Sequence, residues 1–328
     1  MVSLKEIGEF GFIDRIAART TSGGGVVLGI GDDAAVVTAD PGAQTLITTD
    51  MLVAGVHFDL SFTGPFELGR KSLAVNLSDI AAMGGKPRFA LLSLAIPPDL
   101  TLEFLDAFMD GFISRGERYG VALIGGDTCA SRTGFVISVT LLGEQQHDRI
   151  VRRSGARPGD LVYVTGTLGD AALGLELLRQ GERDGAAVNR HRDPLPRTEA
   201  GLVLAESGLA SAMIDVSDGL LADLGHILDQ SGVGATLFLD RLPLSPEYLE
   251  KAGRVTNDPL AFPLSGGEDY ELLFTVPTSR EAELPGISGA LGVPITAIGE
   301  ISDLPGLTII SPDGSPYTPS VRGFDHFA

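Results

Sequence analysis

The sequence contains one cysteine and no tryptophan among its 328 residues. Since Cys129 has no second cysteine to pair with, the disulfide-stapled class of secreted proteins is excluded and a reducing compartment is favoured. The five histidines are scattered, so together with one cysteine they offer no recognisable zinc site. We therefore predict a cytoplasmic protein without zinc chemistry.

Basic residues and long apolar runs are also scarce. Lysine and arginine total 24 against 43 aspartates and glutamates, which gives a net charge of −19. Such a surface repels nucleic acid, anionic membranes and phosphorylated substrates, unless metal ions bridge the last of these. The longest uncharged apolar stretch, residues 89–96, is too short to cross a bilayer, and the first ten residues lack the apolar run of a signal peptide. We expect neither a nucleic-acid partner nor a membrane.

Three common nucleotide and hydrolase motifs are missing. Residues 64–72 resemble a P-loop but carry an arginine where its lysine should stand. The run "GIGDDA" lacks the third glycine of a dinucleotide fingerprint, and residues 215–219 begin with aspartate where a nucleophile elbow needs glycine. Hydride transfer and serine hydrolysis lose support.

Apolar runs and turn residues divide the chain into two halves. The first half predicts the order β-β-α-β-α-β-β, which indicates an α/β or α+β layer structure. Around residues 145–160 the composition becomes polar and includes three arginines. We place a domain boundary there, with an N-terminal domain over 1–149 and a C-terminal domain over 150–328.

The second half predicts strands near residues 161–165, 235–239, 271–276, 295–301 and 307–310. Ser217 is predicted to cap a helix that ends near Gly232. The charged, proline-containing segment 181–197 is predicted to lie on the surface.

Carboxylates at the predicted ends of helices and strands are the most distinctive feature. An apolar run followed by glycine and an acid recurs at 28–33, 123–127 and 264–269. Any one such acid is adequately explained as a turn residue or helix cap. As a set they are costly near a core unless cations neutralise them, and oxygen ligands suit Mg²⁺ or Ca²⁺. The candidates are Asp32, Asp33, Asp50, Asp79, Asp127, Asp215, Asp218, Glu268 and Asp269, and their number suggests several ions.

Three other residues have two interpretations each. His57 is an ordinary loop histidine or a ligand contact. Arg153 is a solvated linker charge or a cation that meets a polyphosphate. Cys129 is best explained as a small packing residue, because no histidine stands beside it to activate a thiolate.

Motifs along nearly the whole chain, from about Gly8 to Phe327, resemble those of the thiamine-monophosphate kinase family in the family's order. They are "LGIGDDAAV", "TTDMLVAGVHF", "KSLAVNLSDIAAMGGKP", "LIGGDT", "RSGARPGDLVYVTGTLGDAALGL", "IDVSDGLLADLGHI" and "LSGGEDYELLFTVP". The resemblance is weak over 181–197 and 241–262.

This resemblance implies the two-domain aminoimidazole ribonucleotide synthetase-like fold. In that fold an N-terminal α/β domain pairs its strands across a homodimer, and an α+β domain follows. It also implies phosphorylation of thiamine monophosphate by ATP with several Mg²⁺ ions.

Residue by residue, the resemblance implies three groups of contacts. The Mg²⁺ ligands would be Asp33, Thr48, Thr49, Asp50, Asp79, Asp127, Asp215 and Asp218. The nucleotide contacts would be Gly126, Asp127, Arg153 and Ser217, and the substrate contacts would be His57, Glu268 and Phe324. Asp50, Asp127 and Asp215 would carry the catalytic role, whereas Asp32 is expected to be a structural neighbour.

Two alternatives stay open beside this hypothesis. Aminoimidazole ribonucleotide synthetase shares acid-rich nucleotide chemistry, and a non-catalytic acidic protein that binds divalent cations belongs to a different class. An EF-hand loop is absent, which weakens the second alternative. Selenophosphate synthetase has a reactive cysteine near its start, and the hydrogenase-maturation relative has one at its end; this sequence has neither.

Overall fold

The computed structural model describes residues 4–20, 24–30, 34–320 and 323. The chain forms two compact units, the first with residues up to Ile80 and Lys86–His147, the second with Ala81–Gly85 and Asp148 onward. None of the helices in these described ranges is long and apolar enough to cross a membrane.

The first unit contains three helices and six strands in the described ranges. In chain order they are α1 (Leu4–Ala17), β1 (Val26–Leu28), β2 (Val36–Val37), β3 (Ala43–Val53), α2 (Pro65–Ala82, its last two residues in the second unit), β4 (Lys86–Ile96), α3 (Leu102–Tyr119), β5 (Ala122–Ala130) and β6 (Val136–Gln146). The short strands β1 and β2 pair with each other antiparallel.

The other four strands form one sheet in the order β3-β6-β4-β5. Strand β6 pairs antiparallel with both neighbours, and β4 pairs parallel with β5. Alternate residues of β6, Ile137, Val139 and Leu141, are fully buried. Ile80 of α2 lies against Gly143 on this same face, so α2 covers it, and we refer to it as the inner face of the sheet.

Helices α2 and α3 pack backbone to backbone through two glycines. A Cβ at Gly69 would lie 2.0 Å from the Phe108 carbonyl oxygen, and a Cβ at Gly111 would lie 2.0 Å from that of Phe66. Neither contact leaves room for a side chain, so these glycines set the distance between the helices.

The second unit is a larger α+β structure. Its elements are β7 (Asp160–Thr165), α4 (Asp170–Arg179), α5 (Ala186–Arg192), α6 (Thr198–Ser207), β8 (Ala212–Asp215), α7 (Leu220–Ser231), β9 (Gly234–Phe238), α8 (Pro246–Val255), α9 (Ala261–Ser265), β10 (Leu272–Pro277), α10 (Leu284–Leu291), β11 (Ile295–Ser302) and β12 (Gly306–Ile310). The strands form a six-stranded sheet in the order β12-β9-β11-β7-β10-β8, antiparallel except for β12 beside β9.

Both faces of this sheet are covered. On β7, Val162 and Val164 pack in a cluster with residues of α7, while Tyr163 packs on the opposite side with residues of α6 and α10. When helices cover both faces of a sheet, successive residues of a strand are all buried instead of every second one. Strand β8 follows this rule, since all four of its residues are buried.

Two predictions for this unit are wrong. Segment 181–197 is not a surface segment, because it contains α5 with Ala187, Val188 and His191 buried. Ser217 does not cap α7; Gly219 takes that position, with a φ of 115°, and the helix begins at Leu220.

We predict that Gly111→Ala lowers the free energy of unfolding by about 1–3 kcal/mol, because the added methyl group must push α2 and α3 apart. Urea unfolding followed by circular dichroism measures the change. Gly253→Ala in α8 is the matched control, since a Cβ there meets nothing within 4 Å, and it should gain about 0.4–1 kcal/mol. Equal effects of the two substitutions would contradict the packing argument.

Candidate functional site

In the first unit, the inner face brings together Thr48 and Asp50 of β3 with Asp79 of α2. Thr48 Oγ1 donates to Asp79 Oδ2 over 2.5 Å. Burial, reinforced by the charge of Asp79 and a hydrogen bond with it, raises the pKa of Asp50 to about 7. Two neighbouring carboxylates that resist simultaneous ionisation are an electrostatic arrangement that a divalent cation would relieve.

Thr49 and Asp127 project away from this pair. The Thr49 hydroxyl donates to the carbonyl oxygen of Val139 at 3.0 Å and accepts from Thr140 at 3.2 Å, on the outer face of the sheet. Asp127 and its neighbour Gly126 are exposed on β5, and Asp127 Oδ1 accepts the Thr128 N–H at 2.9 Å. Within the chain, therefore, these residues do not join Asp50.

Cys129 lies two residues further along β5. Its side chain is exposed within the chain. The packing role predicted for it is therefore not found, because the alternation of the strand turns Cys129 away from the inner face.

His57 is held in a turn after β3. Its Nδ1 accepts the Val53 N–H at 3.1 Å, and its carbonyl oxygen accepts from the buried Lys71 Nζ at 3.4 Å. Because Nδ1 is an acceptor, the neutral ring carries its proton on Nε2. These two contacts fix the ring and the backbone of His57 and leave its Nε2–H as the ring's donor.

In the second unit, the end of β8 leads into a tightly held loop. Asp215 is 3 % exposed and is followed by Ser217 and Asp218. Asp223 Oδ2 accepts the backbone N–H groups of Ser217, Asp218 and Gly219, each over 3.1 Å. Burial raises the pKa of Asp223 to about 7, with Asp218 adding to the rise and the three hydrogen bonds opposing it.

The segment Gly266–Glu271 runs beside this loop. The Glu268 N–H donates to the Ser217 carbonyl oxygen, and the Tyr270 N–H donates to the Val216 carbonyl oxygen, both at 2.8 Å. In return, the Val216 N–H donates to the backbone carbonyl oxygen of Glu271, also at 2.8 Å. Glu268 and Tyr270 have positive φ values of 71° and 51°. Non-glycine residues rarely adopt this conformation, and it persists where the surroundings impose it.

Asp269 anchors that segment to the start of α4. Its two oxygens accept the N–H groups of Gly169 at 2.6 Å and Ala171 at 3.1 Å, donors that the first turn of a helix leaves free. Burial raises the pKa of Asp269 to about 8, against these two hydrogen bonds. Asp269, one of the two acids in the glycine pattern at 264–269, therefore has a structural role.

Arg153 lies exposed in the loop before β7. Ser231, the last residue of α7, holds this loop: its Oγ accepts the N–H groups of Gly155 at 3.1 Å and Ala156 at 3.2 Å and donates to the Arg153 carbonyl oxygen at 3.4 Å. The backbone is thus fixed while the guanidinium faces solvent.

Two predicted site residues, Asp33 and Phe324, lie outside the described residues, as does Asp32. Of the rest, the structure brings Thr48, Asp50 and Asp79 together in one unit and Ser217, Asp218 and Glu268 in the other. Within neither unit do the described side chains gather three or more histidines, cysteines, aspartates or glutamates into one metal-binding group.

Sequence reasoning missed the residues that support the site. Asp223 is four residues past Gly219, a spacing at which a helical acid can reach back to the N-terminal donors, so that signal was available. Glu271 gave no such signal, since its partners Arg190 and Arg197 lie 81 and 74 residues away.

The chain matches AIR synthase related protein, N-terminal domain, over residues 31–145, and AIR synthase related protein, C-terminal domain, over residues 157–311. It is 44% identical to thiamine-monophosphate kinase from Salmonella typhimurium over 330 residues, covering 98% of both chains. A crystal structure of thiamine-monophosphate kinase from Stenotrophomonas maltophilia K279a has 41% sequence identity to this chain. Its TM-score is 0.84, and the match covers 94% of this chain and 98% of that one. A structure described as AaThiL complexed with AMPPCP and TMP is 35% identical, with a TM-score of 0.78 over 100% and 99% of the two chains.

The raised pKa of Asp269 predicts a pH-dependent stability. Between about pH 5 and pH 7 the folded chain holds one proton on Asp269 that the unfolded chain has lost, so the free energy of unfolding falls as pH rises, by about 1.4 kcal/mol per pH unit from this group. The loss is complete once pH passes about 8. Asp269→Asn should show a slope shallower by that amount in urea unfolding at several pH values.

Asp229→Asn is the control for this measurement, because Asp229 is an exposed residue of α7. It should keep the wild-type slope. A wild-type slope in Asp269→Asn would contradict the buried, protonated state of Asp269.

Proposed function

This chain belongs to the thiamine-monophosphate kinase family of AIR synthase related proteins, and we propose that it transfers the γ-phosphoryl group of ATP to thiamine monophosphate, giving thiamine diphosphate. The observation that carries the proposal is full-length similarity to a protein captured with AMPPCP and TMP. AMPPCP is an ATP analogue with a methylene bridge between its β- and γ-phosphorus atoms, so the pair of ligands corresponds to donor and acceptor.

We carry the nucleotide and metal roles over from the family resemblance, position by position. We assign Asp33, Thr48, Thr49, Asp50, Asp79, Asp127, Asp215 and Asp218 to Mg²⁺, and Gly126, Asp127, Arg153 and Ser217 to ATP. The close pair of Asp50 and Asp79, together with the raised pKa of Asp50, supports a cation at that place. Thr49 is assigned through its backbone carbonyl, since its hydroxyl is engaged on the outer face.

Bound Mg²⁺ would supply the charge neutralisation that two polyanions need in order to approach each other. The net charge of −19 makes that requirement strict for this chain, because its own field repels both substrates. Asp50, Asp127 and Asp215 carry the central role in this assignment. Arg153, exposed on a fixed loop, is a direct protein cation for the polyphosphate.

The acceptor-substrate contacts are assigned to His57, Glu268 and Phe324. His57 offers an Nε2–H donor, and Glu268, within the constrained segment Gly266–Glu271, offers a side chain that is 26 % exposed. A cationic thiamine ring suits a carboxylate, and an aromatic side chain suits its flat faces.

The proposed reaction needs little help from a general base. A phosphate monoester is largely a dianion at pH 7, because its second pKa is about 6. Its oxygen can attack the γ-phosphorus directly and in line, displacing ADP, with no phosphoenzyme. The protein therefore contributes positioning and electrostatic stabilisation, which dominate phosphoryl transfer.

We also propose a cytoplasmic homodimer that pairs through the outer face of the four-stranded sheet. Ile47 and Met51 of β3 are 68 % and 59 % exposed there, and among the described strands only β6 pairs with β3. Exposed apolar side chains on a long edge strand mark a surface suited to contact with another chain. The lone cysteine is consistent with the reducing cytoplasm.

Incubation of the chain with ATP, Mg²⁺ and thiamine monophosphate should yield thiamine diphosphate and ADP in equal amounts, measured by chromatography. Free phosphate in place of thiamine diphosphate, or no product at all, would refute the proposed function.

In the same assay, Asp50→Asn should lower kcat by about 10²–10³-fold, since it removes a carboxylate assigned to hold the Mg²⁺ that neutralises the two anions. Asp99→Asn, which changes an exposed loop acid of the first unit, should behave as the wild type. Near wild-type turnover of Asp50→Asn at saturating Mg²⁺ would remove Asp50 from the centre of the mechanism.

The dimer predicts a specific effect of Ile47→Glu. Two buried negative charges facing each other across the interface should convert the dimer into a monomer, measured by analytical ultracentrifugation. Leu249→Glu is matched to it, because Leu249 is 70 % exposed on α8, and should leave the dimer intact. A monomeric wild type would count against the interface.

A further inference from the structure

Helix α5 is a short element that depends on its neighbours. With seven residues, Ala186–Arg192, it is too short to be stable alone. Gly174 of α4 allows close contact, since a Cβ there would lie 2.0 Å from the Ala187 carbonyl oxygen. Glu247 of α8 accepts the Ala187 N–H at 2.9 Å and so caps the first turn.

Two consecutive residues at the end of α5 reach the two glutamates of segment Gly266–Glu271. Arg190 Nη2 donates to Glu271 Oε1 over 2.6 Å, and Arg197 binds the same carboxylate through Nε and Nη2, each also over 2.6 Å. Glu271 is fully buried, so these arginines are what make its burial tolerable. Next to Arg190, His191 places its Nδ1 3.1 Å from Glu268 Oε2, a close polar contact by distance whose angle is not that of a hydrogen bond.

The backbone and the side chain of Glu268 therefore contact different parts of the second unit. Its backbone is set by the hydrogen bond from its N–H to the Ser217 carbonyl oxygen and by the φ of 71°. Its side chain meets His191, which is itself only 4 % exposed and cannot swing into solvent. An imidazole with a proton on Nδ1, neutral or charged, attracts the carboxylate and limits its rotamers.

We propose that His191 is a positioning residue for acceptor-substrate binding: through Nδ1 it holds the Glu268 carboxylate in the orientation that contacts thiamine monophosphate. This inference rests on the proposed function and adds to it a residue from the segment where the family resemblance is weak. His191 acts through Glu268 and does not itself touch the substrate. Its loss should therefore affect the Michaelis constant for thiamine monophosphate and leave ATP use unchanged.

Asparagine and glutamine at position 191 provide a matched test. The Asn amide nitrogen occupies nearly the place of histidine Nδ1, whereas the Gln amide nitrogen occupies that of Nε2. His191→Asn should keep the Michaelis constant for thiamine monophosphate within about threefold of wild type. His191→Gln should raise it about tenfold, the effect of losing a close, buried polar contact with a charged group, with kcat and the Michaelis constant for ATP unchanged. Should the glutamine variant fail to fold, His191→Leu, which lacks any donor, replaces it.

A double-mutant cycle separates this role from general structural support. In the background of Glu268→Gln, His191→Gln should cause no further rise, because its effect passes through the Glu268 carboxylate. Asn189→Ala, an exposed change on α5, should leave both Michaelis constants at wild-type values.

Three results would overturn the inference. These are an unchanged constant for thiamine monophosphate in His191→Gln, an equal rise in the constant for ATP, or full additivity with Glu268→Gln. All three are read against an active wild type, so they are distinct from failure of the proposed function, in which the wild type itself makes no thiamine diphosphate.

Discussion

Burial of carboxylates is the constraint on which the rest of this structure depends. A buried carboxylate needs donors, cations or a proton, because removing its charge from water is costly. Asp223 and Asp269 are met by backbone N–H groups, and Glu271 is met by two arginines. Burial raises the pKa of Asp50, Asp223 and Asp269 alike, but backbone N–H groups oppose the rise at Asp223 and Asp269, whereas the charge of Asp79 and a hydrogen bond with it add to the rise at Asp50. That difference separates acids that complete the fold from acids suited to a cation.

The supporting acids also determine how rigid the second unit is around its ligand residues. Asp223 accepts hydrogen bonds from three successive N–H groups of the loop after β8, and Asp269 joins the neighbouring segment Gly266–Glu271 to α4. Between them, one backbone hydrogen bond joins Glu268 to Ser217. A positive φ at Glu268 persists because several contacts impose it together. For the ligand contacts proposed at Ser217, Asp218 and Glu268, a backbone that is fixed in advance lowers the entropy cost of binding.

Local patterns predicted the regular elements well and the tertiary ones poorly. The strands at β7, β10 and β11 lie close to the predicted ranges, since their apolar runs are strong local signals. Segment 181–197, which contains α5, was predicted to lie on the surface because it is charged and contains proline. Two of its arginines, Arg190 and Arg197, bind Glu271, which lies 81 and 74 residues away, and no local pattern can show such a pairing. Strand alternation predicts that Thr49 and Asp50 lie on opposite faces of β3, but only the packing of α2 decides which face is covered.

The sequence by itself determined the class of chemistry: one cysteine, 43 acidic residues and glycine-flanked acids at the ends of apolar runs favoured phosphate and divalent-cation chemistry over zinc or thiol chemistry. It determined the family as well, since its motifs occur in order along nearly the whole chain. Only the tertiary structure decided which acids face a neighbouring acid and which face N–H groups or arginines. The physical reason is that pKa and pairing depend on distance and burial, and folding brings together residues that are far apart in the chain.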